Sequence, residues 1–232
     1  PEMAELIQRF AITTASSFEV LPEPPDIVIL AVKPQLMDNV LPSVTRHVGF
    51  DTLVVSVAAG RSVASLRRHL AEDTAIIRAM PNTPAAVGRG ITGAYATEEV
   101  TREQGQTCEA LLRAVGEVVW VDQEILIDAV TGVSGSGPAY VFHLVEAMAA
   151  AGEKMGLAPD VAMKLARTTV TGAGELLHQS DEDAATLRQN VTSPGGTTAA
   201  ALEILMNEEY GFGPLLTAAI HAAKTRAGEL SG

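Results

Sequence analysis

The apolar residues in the first half of the chain form short β-branched runs separated by stretches of helical spacing. The run Ile27–Val32 is typical of a strand buried on both faces of a sheet. A helix at Glu2–Phe10 and a short strand at Ala11–Thr14 are predicted ahead of it. The alternation of strands and helices predicts a parallel sheet with helices on both faces. Further strands are predicted at Leu53–Val57, Ala75–Met80, Gly90–Ala96 and Val118–Val121, and helices at Pro34–His47, Val63–Leu70 and Thr101–Val115.

Past Asp122 the apolar spacing becomes helical throughout, which predicts a second, all-α domain. The segment Gly137–Met155 has almost no polar face and is expected to be buried nearly all round. Its stretch Ala147–Gly152 is small enough for another helix to come close. Further helices are predicted at Pro159–His178 and Phe212–Leu230. Because so apolar a helix does not suit a small monomer, a partner subunit is expected to cover it.

Composition narrows the classes of function. The 232 residues are 47% hydrophobic and 19% charged, which suits one large core or two modest ones. The net charge of -12 argues against a nucleic-acid partner, which would require clustered Lys and Arg. The lone Cys108 suits a reducing compartment. No apolar run reaches the roughly 20 residues of a membrane span, and the first residues do not form a signal peptide, so a cytoplasmic protein is expected.

The stretch Asn190–Thr198 combines hydroxyls, glycines and a proline immediately before a helical run. Gly195 and Gly196 let backbone N–H groups approach a ligand, and the free N–H groups of the helix favour a carboxylate. These features predict an anion-holding loop. The alternative interpretation is a capping turn, in which Ser193 or Thr197 is the N-cap and Pro194 interrupts the regular structure before the helix.

Three segments lie at the carboxyl ends of predicted strands of the sheet: Ala31–Pro34, Val57–Gly60 and Met80–Pro84. Ligands of such sheets bind outside the carboxyl ends of the strands. Small residues there allow a flat ligand to approach, and Lys33 offers a donor for phosphate or ribose oxygens. Ordinary strand-to-helix turns would explain the same residues. No Cys, His or carboxylate spacing indicates a metal site, so His143 and His221 are interpreted as packed or surface residues.

Four motifs together resemble the pyrroline-5-carboxylate reductase family: Ala31–Pro34 (AVKP), Met80–Pro84 (MPNTP), Asp128–Tyr140 (DAVTGVSGSGPAY) and Asn190–Thr198 (NVTSPGGTT). The resemblance runs from about residue 11 to residue 226. It implies a Rossmann-like parallel sheet domain at residues 1–122, followed by an all-helical dimerisation and substrate domain at residues 123–232. It also implies an enzyme that reduces 1-pyrroline-5-carboxylate to L-proline with NADPH or NADH, as a homodimer or a higher oligomer of dimers.

The resemblance also implies roles for individual residues. The Thr198 hydroxyl would be the catalytic group and reach the ring nitrogen of the substrate, while backbone N–H groups of Gly196–Thr198 hold its carboxylate. Glu124 matches a carboxylate that contacts the substrate, although an acid at a helix start is the alternative. The implied substrate-binding residues are Glu124, Ser193, Gly196, Thr197 and Thr198, and the implied cofactor-binding residues are Ser17, Ala31, Val32, Lys33, Pro34, Val57, Ala58, Ala59, Asn82 and Asn190.

At two of these positions, Asn190 and Ser17, the residue has a second explanation or differs from the family. Asn190 matches a family residue near the nicotinamide, but it would also be explained as an ordinary helix-end residue. The family usually has Asn where this chain has Ser17, near the cofactor ribose. One hydrogen bond to the cofactor is therefore in question.

The one match to Gly-x-Gly-x-x-Gly, at Gly88–Gly93, runs into the predicted strand Gly90–Ala96, so no such turn stands between a predicted strand and a helix. The family begins with a strand, that glycine-rich turn, a helix and a second strand, and this chain is expected to start at the helix after them. The first domain is therefore expected to be N-terminally incomplete. The residues that select NADPH over NADH belong to that region, so the sequence does not indicate the preference.

Two other classes of protein are weighed against the reductase. A β-hydroxyacid dehydrogenase shares the two-domain plan, but its family carries a catalytic Lys on the helix after the sheet domain, and the segment Ser134–His143 has none. Reducing a protonated imine needs no base at that place, which favours the reductase. A non-enzymatic dimerisation or ligand-sensing module is the second class, and the lack of a glycine-rich turn between a strand and a helix favours it.

Overall fold

The computed structural model describes residues 7–15, 21 and 23–231, which form two compact units. The first contains the described residues up to Met80, the segment Thr92–Ile127 and the last residues from Glu229. The second contains Pro81–Ile91 and Asp128–Gly228.

The first unit is built on a five-stranded sheet in which the strands lie in chain order. Its strands are β1 (Ile27–Leu30), β2 (Leu53–Ser56), β3 (Ile76–Met80), β4 (Gly90–Ala96) and β5 (Gly116–Trp120). The helices between them are α1 (Met37–Val44), flanked by 3₁₀ turns at Pro34–Leu36 and Thr45–His47, α2 (Val63–Arg67) and α3 (Arg102–Arg113). These elements match the predicted order, with ends that differ by a few residues.

Apolar side chains on both faces of the sheet form two cores. On one face Val54 and Ile76 pack with Met37 and Leu41 of α1. On the other face Val55 and Ile77 pack with Cys108 of α3. Since successive side chains of a strand point to opposite faces, the continuous apolar run of β2 supplies both cores. The predicted covering of the sheet by helices on both faces is confirmed.

Strand β1 departs from the expectation of complete burial. It is the first strand in the sheet order, and Ile29 is 54% exposed, whereas Leu30 is 2% exposed. Strand β2, next to it in the order, is buried at all four positions. The sequence pattern of β1 therefore gives the strand correctly but overestimates its burial.

The direction of β4 differs from the predicted parallel sheet. Strands β1, β2 and β3 are parallel, with Ile27 opposite Leu53 and Val54 opposite Ile76. Strand β4 runs antiparallel to β3, with Ile77 opposite Ala96. Only residues 81–89 connect β3 to β4, and they form a 3₁₀ turn rather than a helix. A parallel crossover needs about a dozen residues or more, so this connection is too short for one.

From Leu126 onward the chain is helical, as predicted. The helices are α4 (Leu126–Val130), α5 (Gly137–Lys154), α6 (Pro159–Gln179), α7 (Ala184–Asn190), α8 (Thr197–Leu205) and α9 (Phe212–Ser231). A π-helical turn at Thr131–Gly135 joins α4 to α5. The sequence pattern did not predict this turn, which has one more residue in each hydrogen-bonded ring than an α-helix.

Helices α5 and α6 pack through small residues. Ala149, Ala162 and Ala166 are buried, and a Cβ atom at Gly152 would lie 3.3 Å from the Ala162 Cβ. The predicted close approach of a helix to Ala147–Gly152 is therefore confirmed. The expectation that α5 is buried nearly all round does not hold within a single chain, because Phe142 on this helix is 64% exposed.

Two predictions at the start of the chain have different outcomes. Residues 7–10 are helical, and residues 2–6 of the predicted first helix lie outside the described part. The predicted strand Ala11–Thr14 is wrong, since residues 11–15 have no regular structure and are exposed. An isolated extended segment has no neighbouring strand to bond its backbone groups, which a strand requires. Ser17 lies outside the described residues.

Within the described ranges no helix is both long and apolar enough to cross a membrane.

Candidate functional site

Two of the predicted ligand-binding segments lie side by side in the first unit. Ala31–Pro34 follows β1 and Val57–Gly60 follows β2, and the Val57 N–H donates to the Leu30 carbonyl at 3.2 Å. The neighbouring strands are parallel, so their carboxyl ends meet at one edge of the sheet. The structure therefore brings together the predicted cofactor residues Ala31, Val32, Lys33, Pro34, Val57, Ala58 and Ala59.

The surface of these two segments is made by small side chains and one cation. Ala58 is buried, Ala59 is half-buried and Ala31 is exposed. Lys33 is exposed at the start of the 3₁₀ turn. Alanine side chains let a ligand approach the backbone closely, while Lys33 can donate to an oxygen of an anionic group. The segments have room for a flat ligand next to a cation.

An ion pair links the residues that come after these two segments. Arg61, immediately after Gly60, donates from Nη2 to Asp38 Oδ2 at 2.5 Å, and Asp38 lies in the first turn of α1. His69 Nε2 lies 3.2 Å from the other oxygen of Asp38. The hydrogen bond from Arg61 is the main cause that lowers the pKa of Asp38 below its ordinary value, with a smaller contribution from His69.

Glu124 also belongs to the first unit, where it binds two groups of the protein. Its Oε1 accepts a hydrogen bond from the Val63 N–H at 2.7 Å and another from Arg78 Nη1 at 2.7 Å. Arg78 lies on β3 with its side chain 6% exposed. The alternative of an acid in the first turn of its own helix is wrong, since Glu124 precedes α4 (Leu126–Val130) and instead accepts from the start of α2, a helix distant in sequence. Its predicted contact with a substrate stays a prediction.

The loop predicted to hold an anion lies in the second unit, between α7 and α8. Gly195 has a φ of +67°, in the left-handed region that favours glycine. The Gly196 N–H then donates to the Ser193 carbonyl at 3.0 Å. A Cβ atom at Gly196 would lie 3.1 Å from that carbonyl oxygen. Both glycines are therefore required by the shape of the turn.

The N-cap of α8 is Gly196, and no side chain caps the helix. The alternative interpretation, with Ser193 or Thr197 as the N-cap, is wrong. The first N–H groups of a helix have no acceptor within the helix. The amides of Thr197 and Thr198 therefore point out of the start of α8 without a side-chain cap, next to the positive end of the helix dipole. This arrangement suits a carboxylate.

Asn190 and Asn82 have structural partners in the second unit. Asn190 is the last residue of α7, as the helix-end alternative supposed, and its Nδ2 donates to Glu182 Oε2 at 3.1 Å. Asn82 accepts at Oδ1 from the Ile91 N–H at 2.9 Å and donates from Nδ2 to the Ser134 carbonyl at 3.2 Å. The predicted cofactor roles of both asparagines stay predictions.

The π-helical turn is a feature that the sequence analysis missed. Gly132 lies so close to α9 that a Cβ atom there would be 2.9 Å from the Ile220 carbonyl oxygen. The Tyr140 hydroxyl donates to the Gly132 carbonyl at 2.9 Å, and Ser134 is the residue bound by Asn82. Such turns occur frequently at functional sites. The glycine-rich run Gly132–Gly137 was the available signal.

A metal centre is not formed by the residues described in either unit, where no three His, Cys, Asp or Glu side chains are grouped to hold an ion. The Cys108 thiol is buried behind the sheet, and burial raises its pKa to about 11. It is therefore protonated near neutral pH and is not a nucleophile. The chemistry of the described residues rests on hydroxyls, backbone amides and the charged pairs.

Comparison with known proteins gives a consistent result for both halves of the chain. The family described as pyrroline-5-carboxylate reductase dimerisation matches residues 124–230. The pyrroline-5-carboxylate reductase of Pseudomonas aeruginosa is 41% identical over 230 residues, which are 99% of this chain and 84% of that protein.

Two solved structures extend the similarity to the fold. A pyrroline-5-carboxylate reductase from Coxiella burnetii has a TM-score of 0.82 at 39% identity, covering 89% of this chain and 76% of its own. The pyrroline carboxylate reductase of Plasmodium falciparum, with NADP bound, has a TM-score of 0.76 at 28% identity, covering 89% of this chain and 78% of its own. The order of sheet and helices described above is thus shared over most of both chains.

Proposed function

Because the chain belongs to the pyrroline-5-carboxylate reductase family, we propose that it reduces 1-pyrroline-5-carboxylate to L-proline with NADPH or NADH, the last step of proline biosynthesis. The observation that supports this most directly is the uncapped start of α8, preceded by the Ser193–Gly196 turn. Thr198 and the free backbone amides belong to the first turn of this same helix. A small cyclic imine with a carboxylate needs these two kinds of group.

Residues 1–122 bind the dinucleotide in this proposal, and residues 123–232 bind the substrate and form the dimer. The neighbouring ends of β1 and β2 fit a dinucleotide, because Ala31, Ala58 and Ala59 leave the backbone accessible and Lys33 supplies a cation. When bound, the reduced nicotinamide supplies the hydride for the imine carbon. Ser17, Val32, Pro34, Val57, Asn82 and Asn190 complete the proposed set of cofactor residues.

The substrate carboxylate is held by the loop before α8. Backbone N–H groups of Thr197 and Thr198 donate to it, and the dipole of α8 adds to the attraction. The predicted contribution of the Gly196 N–H is replaced by a structural one, because that N–H donates to the Ser193 carbonyl and fixes the shape of the loop. Ser193 offers a further hydroxyl on the same turn. These groups orient the ring without any change in their own protonation.

Hydride addition to the protonated C=N bond cancels the positive charge and leaves a lone pair on the ring nitrogen, to which the Thr198 hydroxyl donates a hydrogen bond as that lone pair forms. A donor fixed before the reaction stabilises the transition state more than a mobile water does. The imine nitrogen enters protonated, so no side chain has to act as a general base. This agrees with the absence of lysine from the segment Ser134–His143.

The functional unit is a homodimer formed by the helical half. Large apolar side chains of the second unit are exposed in one chain, among them Phe142 at 64%, Leu176 at 63% and Leu215 at 60%. A surface so apolar is covered by another protein in a stable assembly. The proposal also includes the assembly of such dimers into a higher oligomer. The buried, free Cys108 agrees with a cytoplasmic location.

A comparison of substrates tests the proposed function. The purified full-length protein is given 1-pyrroline-5-carboxylate with NADPH, and separately a series of β-hydroxyacids with NADP⁺. The proposal predicts oxidation of NADPH that depends on the imine, and no reduction of NADP⁺ by the hydroxyacids. Turnover of a hydroxyacid without turnover of the imine would identify a dehydrogenase. Binding of NADPH without any turnover would favour a ligand-sensing module.

A further inference from the structure

We propose that Glu124 is a positioning residue for the cofactor segment Val57–Ala59 and is not a ligand of the substrate. This inference rests on the proposed reductase function. Its basis is that Glu124 Oε1 bonds both the Val63 N–H and the Arg78 guanidinium, each at 2.7 Å. These two groups belong to the helix that follows the cofactor segment and to the strand beside it.

The first contact fixes the start of a very short helix. Helix α2 has only five residues and is too short to be stable on its own. Its N-cap Ser62 accepts from the Ser65 N–H at 3.1 Å, and Glu124 takes the N–H of Val63, the first helical residue. Two acceptors from outside the helical hydrogen-bond pattern therefore hold the first turn of α2. The segment Val57–Gly60 leads directly into that turn.

The second contact anchors Glu124 to the core of the sheet. Arg78 is opposite Ser56 in the register of β2 and β3, and Ser56 immediately precedes Val57. The Arg78 side chain is 6% exposed and that of Glu124 is 29% exposed. A guanidinium so far removed from water needs a negative partner, which Glu124 supplies. The carboxylate is consequently held in place by a rigid strand.

Together the two contacts make Glu124 a link between β3 and the start of α2. Loss of the carboxylate would leave the Val63 N–H without its acceptor and Arg78 without one of its partners. The start of α2 would loosen, and the Val57–Ala59 backbone would lose its fixed shape. The cofactor should then bind more weakly. Contacts of the substrate with the loop before α8 do not involve this link, so substrate affinity should stay unchanged.

The test uses Glu124→Ala and Glu124→Gln in the full-length protein, with Glu117→Gln as the control. Glu117 is an exposed carboxylate on β5 of the same unit. The dissociation constant for NADPH is measured by fluorescence titration without substrate, and KM for 1-pyrroline-5-carboxylate is measured at saturating NADPH. Glu124→Ala should weaken NADPH binding by about tenfold, the size expected for lost charge-assisted hydrogen bonds, and leave that KM unchanged.

Glu124→Gln keeps an oxygen that can accept from the Val63 N–H, so its loss of NADPH affinity should be smaller than that of Glu124→Ala. If Glu124→Ala fails to fold, Glu124→Gln decides alone: weaker NADPH binding with an unchanged KM supports the inference, and unchanged binding overturns it. A raised KM for the substrate with normal NADPH binding would make Glu124 a substrate ligand. A lower melting temperature with an unchanged NADPH dissociation constant and an unchanged KM would show that Glu124 only stabilises the fold, which would overturn the inference. If the wild-type protein does not reduce the imine, the proposed function fails. The NADPH dissociation constants of wild type and the Glu124 variants would still show whether Glu124 positions the cofactor segment.

Discussion

Arg61 and Asp38 form an ion pair, with Arg61 Nη2 2.5 Å from Asp38 Oδ2, that joins the segments after β1 and β2. The Arg61 side chain is only 13% exposed, whereas that of Asp38 is 55% exposed. Gly60, just before Arg61, has a φ of +66°, and a Cβ atom there would lie 2.7 Å from the Leu230 Cβ. The backbone is thus turned at a residue that only glycine suits, and this turn directs Arg61 toward α1.

The ion pair should make stability depend on pH in the acid range. The pKa of Asp38 is lowered in the folded state, so its contribution is present above the unfolded pKa and is lost as the pH falls through the folded pKa. Replacing Asp38 by Asn should therefore destabilise the protein at pH 7, and the difference from wild type should shrink below a pH of about 4.

Urea unfolding of wild type and Asp38→Asn between pH 3 and pH 8 measures this difference. Asp51→Asn, at another exposed aspartate of the same unit, controls for the loss of one negative charge. A difference between wild type and Asp38→Asn that stays constant down to pH 3 would show that the ion pair does not stabilise the folded state.

Thr198 should support turnover through its hydroxyl. Thr198→Val removes one preorganised donor and keeps the size of the side chain, so kcat should fall by roughly 10²-fold, while NADPH affinity and the melting temperature stay near wild type. Steady-state assays with 1-pyrroline-5-carboxylate measure the effect. Thr171→Val is the matched control, since the Thr171 hydroxyl bonds only backbone carbonyls of its own helix. Near-wild-type turnover of Thr198→Val would exclude the proposed role.

The exposed Phe142 should lie in the dimer interface. Phe142→Glu places a charge on an apolar face of α5, and a buried unpaired carboxylate costs several kcal/mol, so the dimer should dissociate at micromolar concentration. The same change at Phe50, which is 86% exposed in the first unit, should leave the dimer intact. Sedimentation velocity distinguishes the two. A Phe142→Glu protein that sediments as a stable dimer would place the interface elsewhere.

Much of the fold could be predicted because the apolar spacing alone distinguishes strands from helices. The order of elements from Ile27 to β5 agrees with the structure, and so do the helices on both faces of the sheet, whereas α4, the π-helical turn and α7 were not predicted individually. The direction of β4 was predicted incorrectly, although the short connection at residues 81–89 already argued against a parallel strand. The predicted strand at Ala11–Thr14 failed because a short β-branched run indicates a strand only when a neighbour is available.

The candidate site was predictable where it is local in sequence. The loop before α8 was found from its glycines and hydroxyls, although the identity of the N-cap depended on the backbone at Gly196. The charged pairs were not predicted, because Arg61 is 23 positions from Asp38 and Arg78 is 46 positions from Glu124. Which charges meet across such separations depends on the order of the strands in the sheet, and that order follows only from the folded structure.

The proposed reaction converts the cyclic imine 1-pyrroline-5-carboxylate into L-proline. The most direct measurement follows NADPH consumption and L-proline formation in the same reaction, with the purified full-length protein, 1-pyrroline-5-carboxylate and chiral chromatography of the product. We expect one L-proline for each NADPH oxidised, and a rate that Thr198→Val lowers by roughly 10²-fold. NADPH oxidation without L-proline, or no oxidation that depends on the imine, would contradict it.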